Sequence, residues 1–320
     1  MSVWLLLTLV IGLAAANHAH AAQSIEKIKL AIPAKSMGYL PMYVAIHRGF
    51  MRDEGLELEI PNLRPNIAHS ALLGGDIDYH GLAESGLRLA AKGSPMKSIF
   101  YSLRSPLYFL MAKPQINSVQ ELKGKIIGIS SFGGATEVST RIGLRHYGLD
   151  AGRDVTMILI GTENVRVTAL TSGSIDATVA VPPSHMLLKQ KGFNLLLSLA
   201  DVADLPANGF TTSDRTLREK RDQVKRLLRA LTRGLVFSKD RPKETIEIMA
   251  REWQIEPAVA EDVYGPVSRA LSKDGMASET GLKQHFQIIR KLEKGLGEIS
   301  IAKVVDFQPL IEVRRELGTK

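Results

Sequence analysis

Residues 71–79 read ALLGGDIDY and residues 169–177 read ALTSGSIDA, so the pattern A-L-x-x-G-x-I-D is written twice. In each copy a short helix ends, a glycine takes the left-handed turn that closes it without strain, and Ile-Asp opens a strand. Two equivalent corners imply two similar lobes. Asp78 and Asp176 read as turn-satisfying groups hydrogen-bonded to nearby backbone, not as catalytic carboxylates. Ala71 and Ala169 are expected to be small where helix meets sheet.

Outward from the first corner, Ile28, Leu30 and Ile32 alternate with Lys29 and Ala31 as a strand does. Pro41 suits the first turn of the next helix and Gly49 its stop. Leu56, Leu58 and Ile60 alternate again, and SIFYSL (98–103) and LYFLMA (107–112) predict two more strands. Around the second corner, KIIGIS (125–130), VTMILI (155–160) and IDATVAV (175–181) read as strands, with a glycine-rich turn and helix over 131–148. Strands alternating with helices imply an α/β protein with largely parallel pairing. After residue 214 the pattern becomes amphipathic helix, with breaks expected at Pro242, Pro257, Gly265-Pro266, Gly275 and Gly281. The basic segment 214–234 interleaves Arg and Lys with Leu217, Val224, Leu227, Leu228 and Leu231, which predicts a solvated helix face.

Val3 to Ala16 is an apolar run followed by Ala19-His20-Ala21, which reads as a secretory signal peptide over 1–21, cleaved near Ala21. The run is shorter than the ~20 apolar residues a spanning helix needs. A composition 45% hydrophobic and 23% charged is ordinary for a soluble globular protein. The absence of cysteine excludes disulfides, thiolate metal sites and cysteine nucleophiles. The net charge of +8 comes with neither a recognisable nucleic-acid module nor interleaved stacking aromatics, so no nucleic-acid partner is expected. His47, His69, His146, His185 and His285 are scattered, and Gly81 between His80 and Glu84 breaks any shared helical face, so no metal site is expected. No nucleophile elbow, dinucleotide fingerprint or phosphate loop is present, and no cofactor or catalytic residue is assigned.

Four segments carry a family resemblance: GYLPMYVAIHRGFMRDEGLELEI (38–60), ALLGGDIDY, INSVQELKGKIIGI (116–129) and ALTSGSIDATV (169–179). In this order the chain resembles the periplasmic substrate-binding proteins of ABC transporters, in the family that binds sulfonates, taurine, nitrate and thiamine-pyrimidine precursors. The resemblance implies the two-lobed type II periplasmic-binding-protein fold: two similar α/β lobes with central sheets, two crossovers and a helical C-terminal tail. Lobe 1 is expected over 22–108 plus 208–320 and lobe 2 over 109–207, with crossings near 108–112 and 203–210. It further implies a monomeric periplasmic receptor that closes over a small-molecule ligand and presents it to an ABC permease at the inner membrane. Enzymes share this fold, and a pyrimidine-like or small organic-acid substrate is the alternative. The yeast-type pyrimidine synthases that resemble the family rely on a cysteine-rich segment, which this chain lacks.

The resemblance puts the ligand where strand carboxyl ends and helix amino termini of both lobes meet, and the unpaired N–H groups of helix amino termini support that place physically. The matching residues are Ser36, Met37, Tyr39 and Leu40 after the first strand, then Ala83 and Glu84 after the first corner. In the second lobe they are Ser130, Ser131, Phe132, Gly133, Gly134 and Thr136, with Val181 and Pro182 after the second corner. Ser130, Ser131 and Thr136 offer hydroxyls, the two glycines permit close backbone approach, and Phe132 would cover an apolar part of the ligand. The bland reading of this loop is a strand-to-helix turn with Thr136 as cap, and Ser36 and Tyr39 read equally as packing residues. Glu84 suits a helix start in any case, whereas facing the cleft it would favour a cation or a hydrogen-bond donor. Arg104 and Arg166 are expected at the surface, so the sign of the ligand's charge stays open. Replacing Gly134 with a bulky residue is expected to weaken ligand binding and leave the fold intact, as read by calorimetric titration beside circular dichroism.

Overall fold

The computed structural model describes residues 25–319 apart from Ser131, Gly133, Gly134 and 293–295. The signal peptide expected over 1–21 lies outside the described residues. Strands β1 (Glu26–Ala31), β2 (Leu56–Glu59), β3 (Tyr79–His80), β4 (Met96–Leu103) and β10 (Ala207–Ser213) form one sheet in the order β2-β1-β3-β10-β4. Strands β5 (Phe109–Ala112), β6 (Ile126–Ile129), β7 (Thr156–Leu159), β8 (Ala177–Ala180) and β9 (Asn194–Ser198) form the other in the order β7-β6-β8-β5-β9. The orders match position for position. β1 pairs in parallel with β2 and β3, and β6 with β7 and β8.

The fourth position in each sheet departs from the parallel expectation. There β10 runs antiparallel to β3 and β4, and β5 antiparallel to β8 and β9. Each of these strands begins just after the chain has crossed from the other lobe, and so enters its sheet from the opposite end. The crossings lie between Leu103 and Phe109 and between Ser198 and Ala207; of the expected ranges, 108–112 falls mainly on β5, while 203–210 covers the end of the second crossing and the start of β10.

The repeated corner closes each sheet in the same way. Helices α1 (Leu40–His47), α2 (Phe50–Asp53), α3 (Pro65–Gly74) and α4 (Ala83–Ala91) belong to the first lobe. In the second lobe come α5 (Ala135–His146), α6 (Glu163–Thr171) and α7 (Ser184–Gln190). Gly75 ends α3 at φ 90° and Gly173 follows α6 at φ 81°, the left-handed conformation expected of both. The Leu and Ile of the pattern make the helix-to-sheet contact, with Leu72, Ile77, Leu170 and Ile175 all buried; Ala71 and Ala169 are only half-buried. Each aspartate accepts an N–H not from its own turn but from the neighbouring strand: Lys29 donates to Asp78 at 3.0 Å and Ile126 to Asp176 at 2.9 Å. The aspartates' own N–H groups return the bond to the Lys29 and Ile126 carbonyls. A lysine pairs with the second oxygen in each case, Lys220 with Asp78 and Lys113 with Asp176, both at 2.8 Å.

Past β10 the chain is helical: α8 (Asp214–Glu219), α9 (Arg221–Asp240), α10 (Pro242–Trp253), α11 (Pro257–Ala270), α12 (Glu279–Leu292), α13 (Ile301–Val304) and α14 (Gln308–Glu316). Pro242 and Pro257 open helices as expected. Gly265-Pro266 and Gly281 do not break them. Ala260, Val263, Val267 and Ala270 are fully buried, so packing carries α11 through Pro266. The basic face of α9 is not merely solvated: Arg229 reaches Glu54 and Glu316 at 2.6 Å each, and Arg233 reaches Asp53 at 2.7 Å, tying α9 to α2 and α14. One hydrophobic cluster runs from Ile28, Leu30 and Val263 in the first lobe to Phe109, Leu170 and Leu188 in the second, and α7 packs against α11 across the interface.

Asp176→Ala leaves the Ile126 N–H and the Lys113 ammonium without their acceptor. A loss of about 1–3 kcal/mol of unfolding free energy is expected in a urea titration, and Asp78→Ala should cost a similar amount because its partners are equivalent.

Candidate functional site

The loops after β1, β3, β6 and β8 end on the same edge of their sheets, where the two crossings also pass. After β1, Ser36 Oγ accepts the Gly38 N–H at 3.1 Å and caps a single 3-10 turn. Met37 and Leu40 are in the core, and Ala83 is likewise fully buried. Tyr39 is buried, and its hydroxyl donates to the Gly81 carbonyl after β3. Asn208, at the start of β10, holds a left-handed backbone at φ 49° although it is not glycine. Its side chain fills the space over Gly38, where an added Cβ would lie 2.3 Å away. Its N–H donates to Glu84 at 3.0 Å. Strain of this kind persists only where surrounding contacts impose it.

Burial pushes the Tyr39 hydroxyl far above its ordinary range, and the Glu84 carboxylate adds to the shift. The Tyr108 hydroxyl, in the first crossing, is raised by burial and by Glu84, while Arg166 opposes the rise and Glu163 reinforces it. The Glu84 carboxyl itself is raised by burial against the pull of the Asn208 N–H.

In the second lobe, Ser130 donates its N–H to Thr136 Oγ1 at 2.9 Å, and the two hydroxyls bond to each other at 2.8 Å. Thr136 thus closes the loop upon itself from inside α5 instead of capping the helix. Phe132 is 61% exposed, whereas Ser131, Gly133 and Gly134 lie outside the described residues. Glu163, in the first turn of α6, accepts the Val181 N–H at 2.9 Å. Pro182, after β8, is buried beside the cis Pro182-Pro183 bond.

Arg166 is not at the surface but 4% exposed, with Nη1 donating to the Gly161 carbonyl at 2.5 Å and Nη2 to Val179 at 3.2 Å. Its Nε has no partner among the described residues. Arg104 is half-buried and joins the crossings to the tail by donating to the Arg269 carbonyl at 3.0 Å and to the Ala200 carbonyl at 3.4 Å. A cavity of about 590 Å³ lies beside this brace, lined by Arg104, Asp204, the 272–278 loop and Phe307. It is separate from the Tyr39–Glu84–Tyr108 group.

Folding brings together a pair of histidines that the sequence scatters. His80 Nε2 and His69 Nδ1 are 3.0 Å apart, and His69 Nε2 is 2.9 Å from Ser85 Oγ. The serine and two histidines have the membership of a nucleophile relay, but the protons run the wrong way. The Leu82 N–H donates to His80 Nδ1, so the neutral His80 donates from Nε2 to His69 Nδ1. His69 must then donate from Nε2 to Ser85, whose hydroxyl donates onward to the Leu82 carbonyl. With no lone pair facing Ser85, His69 is not placed to act as its base. Among the described residues, no three His, Asp or Glu side chains converge to hold a metal ion.

The fold is that of periplasmic binding proteins. The periplasmic aliphatic sulphonate binding protein SsuA of Escherichia coli matches it with a TM-score of 0.69 at 15% identity, over 88% of this chain and 92% of that one. The chain belongs to the NMT1/THI5-like family, whose model matches residues 36–245. The riboflavin-binding protein RibY of Chloroflexus aurantiacus is 25% identical over 244 residues, 73% of this chain and 68% of that protein. The 4-amino-5-hydroxymethyl-2-methylpyrimidine phosphate synthase of Candida albicans is 26% identical over 227 residues, 64% of this chain and 65% of that protein. The chain spans between 65% and 68% of the length of the curated relatives it matches. No helix among the described residues is long and apolar enough to cross a membrane.

Buried imidazoles at this site make stability depend on acidity. Burial and the neighbouring His69 lower His80 to about 3, and burial lowers His185, stacked 3.9 Å from Phe109, to about 4. Both are neutral in the fold, so their contribution is complete above the ordinary value of 6.5 and is lost as pH falls from there toward 4. Unfolding free energy is expected to fall across that window by up to about 1.4 kcal/mol per pH unit for each imidazole. His185→Leu should remove one share of the slope in denaturant titrations run at a series of pH values.

Proposed function

We propose that this protein is an extracytoplasmic solute receptor that binds a small organic molecule between its lobes and delivers it to an ABC permease. One observation carries the reading: the loops after β1 and β3 in one lobe and after β6 and β8 in the other end on the sheet edges where the two crossings pass, so that a ligand held there lies between the lobes. A ligand seated there contacts both lobes only when they are together, so its binding energy favours the closed state; a ligand held equally in both states would shift nothing. The mechanism needs no covalent step.

Export is supported by the signal-like run at 1–21 and by the periplasmic proteins that share the fold. The crossings supply the hinge. Arg104 and the paired Asp204 and Ser278 brace them against the 272–278 loop and α11, so closure turns one lobe against a tail that stays with the other.

Thermal-shift screening of the purified protein against sulfonates, nitrate, pyrimidines and aromatic carboxylates tests this reading, with calorimetry and small-angle scattering on any hit. A ligand at a hundred times its dissociation constant should add about 2.7 kcal/mol of stability, shrink the radius of gyration and be recovered chemically unchanged. Recovery of an altered compound would establish an enzyme instead.

A further inference from the structure

The second lobe carries a cavity at the end away from the cleft. β6 and β7 are parallel and both run toward the cleft edge, so the turn that joins α5 to β7 lies at the opposite end of the lobe. There a cavity of about 240 Å³ is lined by Arg141, Arg145 and Arg153, with Asp150 and Ala151 beside them. Arg141 and Arg145 stand four residues apart on one face of α5, and Arg153 comes back to them from the turn.

Hydrogen bonds within the turn fix that meeting. Gly148 leaves α5 at φ 81°, donating its N–H to the Arg145 carbonyl at 3.1 Å, and Leu149 donates to the Leu144 carbonyl at 2.9 Å. Asp150 donates its N–H to Asp154 Oδ2 and accepts the Gly152 N–H on its own Oδ1, each at 2.8 Å. One oxygen of the only carboxylate lining the cavity is thus engaged by the turn itself.

The three arginines are engaged unequally. A guanidinium has five N–H donors in a planar fork. Arg153 gives Nε and Nη2 to Asp154, and Arg141 gives Nε to Glu137 at 2.6 Å. Both Nη atoms of Arg141, Nη1 of Arg153 and the Ala151 N–H donate to nothing among the described residues, and the Arg145 guanidinium has no partner there at all. The partial negative charge at the end of α5 suits Arg145 in any case, but it does not bring Arg153 to the same cavity. Guanidinium forks converging from two elements match the oxygens of a phosphate-type anion, which accept several N–H groups at once. The volume lies below the ~300 Å³ at which pockets for drug-sized molecules begin, so it suits a single such group.

The geometry points to an oxyanion site at the far end of the second lobe, taking one phosphoryl group between Arg141, Arg145 and Arg153, with the Ala151 N–H as a further donor. A free phosphate and the headgroup of an anionic phospholipid both offer that chemistry. The site is separate from the cleft, so its test leaves the receptor reading untouched.

Inorganic phosphate and pyrophosphate, titrated calorimetrically into the purified protein near neutral pH at fixed ionic strength, probe the site. Co-sedimentation with phosphatidylglycerol vesicles, against phosphatidylcholine vesicles, probes the lipid source. One-to-one binding is expected, weakened ~10-fold or more by Arg145→Gln, as loss of charge-assisted hydrogen bonds requires. Lys191→Gln, which removes an exposed charge elsewhere on the same lobe, should leave it unchanged. Arg145 is exposed, so its variant should unfold in urea as the parent does. Sedimentation with phosphatidylglycerol alone that Arg145→Gln abolishes would name a headgroup, and phosphate or pyrophosphate binding without sedimentation would name a free phosphate. Equal losses from the two variants would show a diffuse attraction of a basic chain to anions and overturn the site, as would a folded protein that binds neither phosphate, pyrophosphate nor vesicles.

Discussion

A carboxylate just before a strand, accepting an N–H of the neighbouring strand, sets the geometry on which both lobes depend. Asp78 and Asp176 add one side-chain bond beside the first backbone bond of the parallel pairing, and each receives a lysine on its other oxygen. The register this imposes brings β1 beside β3 and β6 beside β8, and so aligns the loops that follow all four strands on one edge. Without that alignment, the loops after β1, β3, β6 and β8 would share no edge.

The second constraint is the double crossing. Because each crossing strand inserts into the middle of the opposite sheet, neither lobe's sheet is complete without a segment that has come over from the other lobe. A linked pair of sheets of this kind keeps the connecting backbone between the lobes short. The interface is also apolar: Phe109, Leu170 and Leu188 share one cluster with the core of the first lobe. Burial raises the Tyr39 and Tyr108 hydroxyls and the Glu84 carboxyl.

Much of the fold was legible because its signals are local. The alternation of Ile28, Leu30 and Ile32, the left-handed Gly75 and Gly173, and the helix-starting Pro242 and Pro257 each depend on near neighbours in the chain. β9 and β10 were not legible, since NLLLS and ANGFTTS carry no clean alternation and become strands by pairing with partners far away. The candidate site was read only in outline. The strand ends that carry its segments are legible, but the Ser130–Thr136 pair, the buried Arg166 and the His69–His80 contact arise from bonds between residues whose side chains give no sign of their partners. Arg166 looked like a surface residue because a lone arginine at helical spacing usually is one; here two backbone carbonyls compensate its burial.

By itself the sequence determined that there are two similar α/β lobes with a helical tail, that no cysteine chemistry is available, and that glycine and Ile-Asp turn the chain at equivalent corners. These follow from periodicity, composition and backbone freedom, which act over a few residues. Only the tertiary structure decided where the crossings lie, which strands run antiparallel, which amide donors are already taken, and that Arg166 is buried. Those facts depend on distances between residues remote in the chain, and burial and hydrogen-bond competition have no value until the chain has closed on itself.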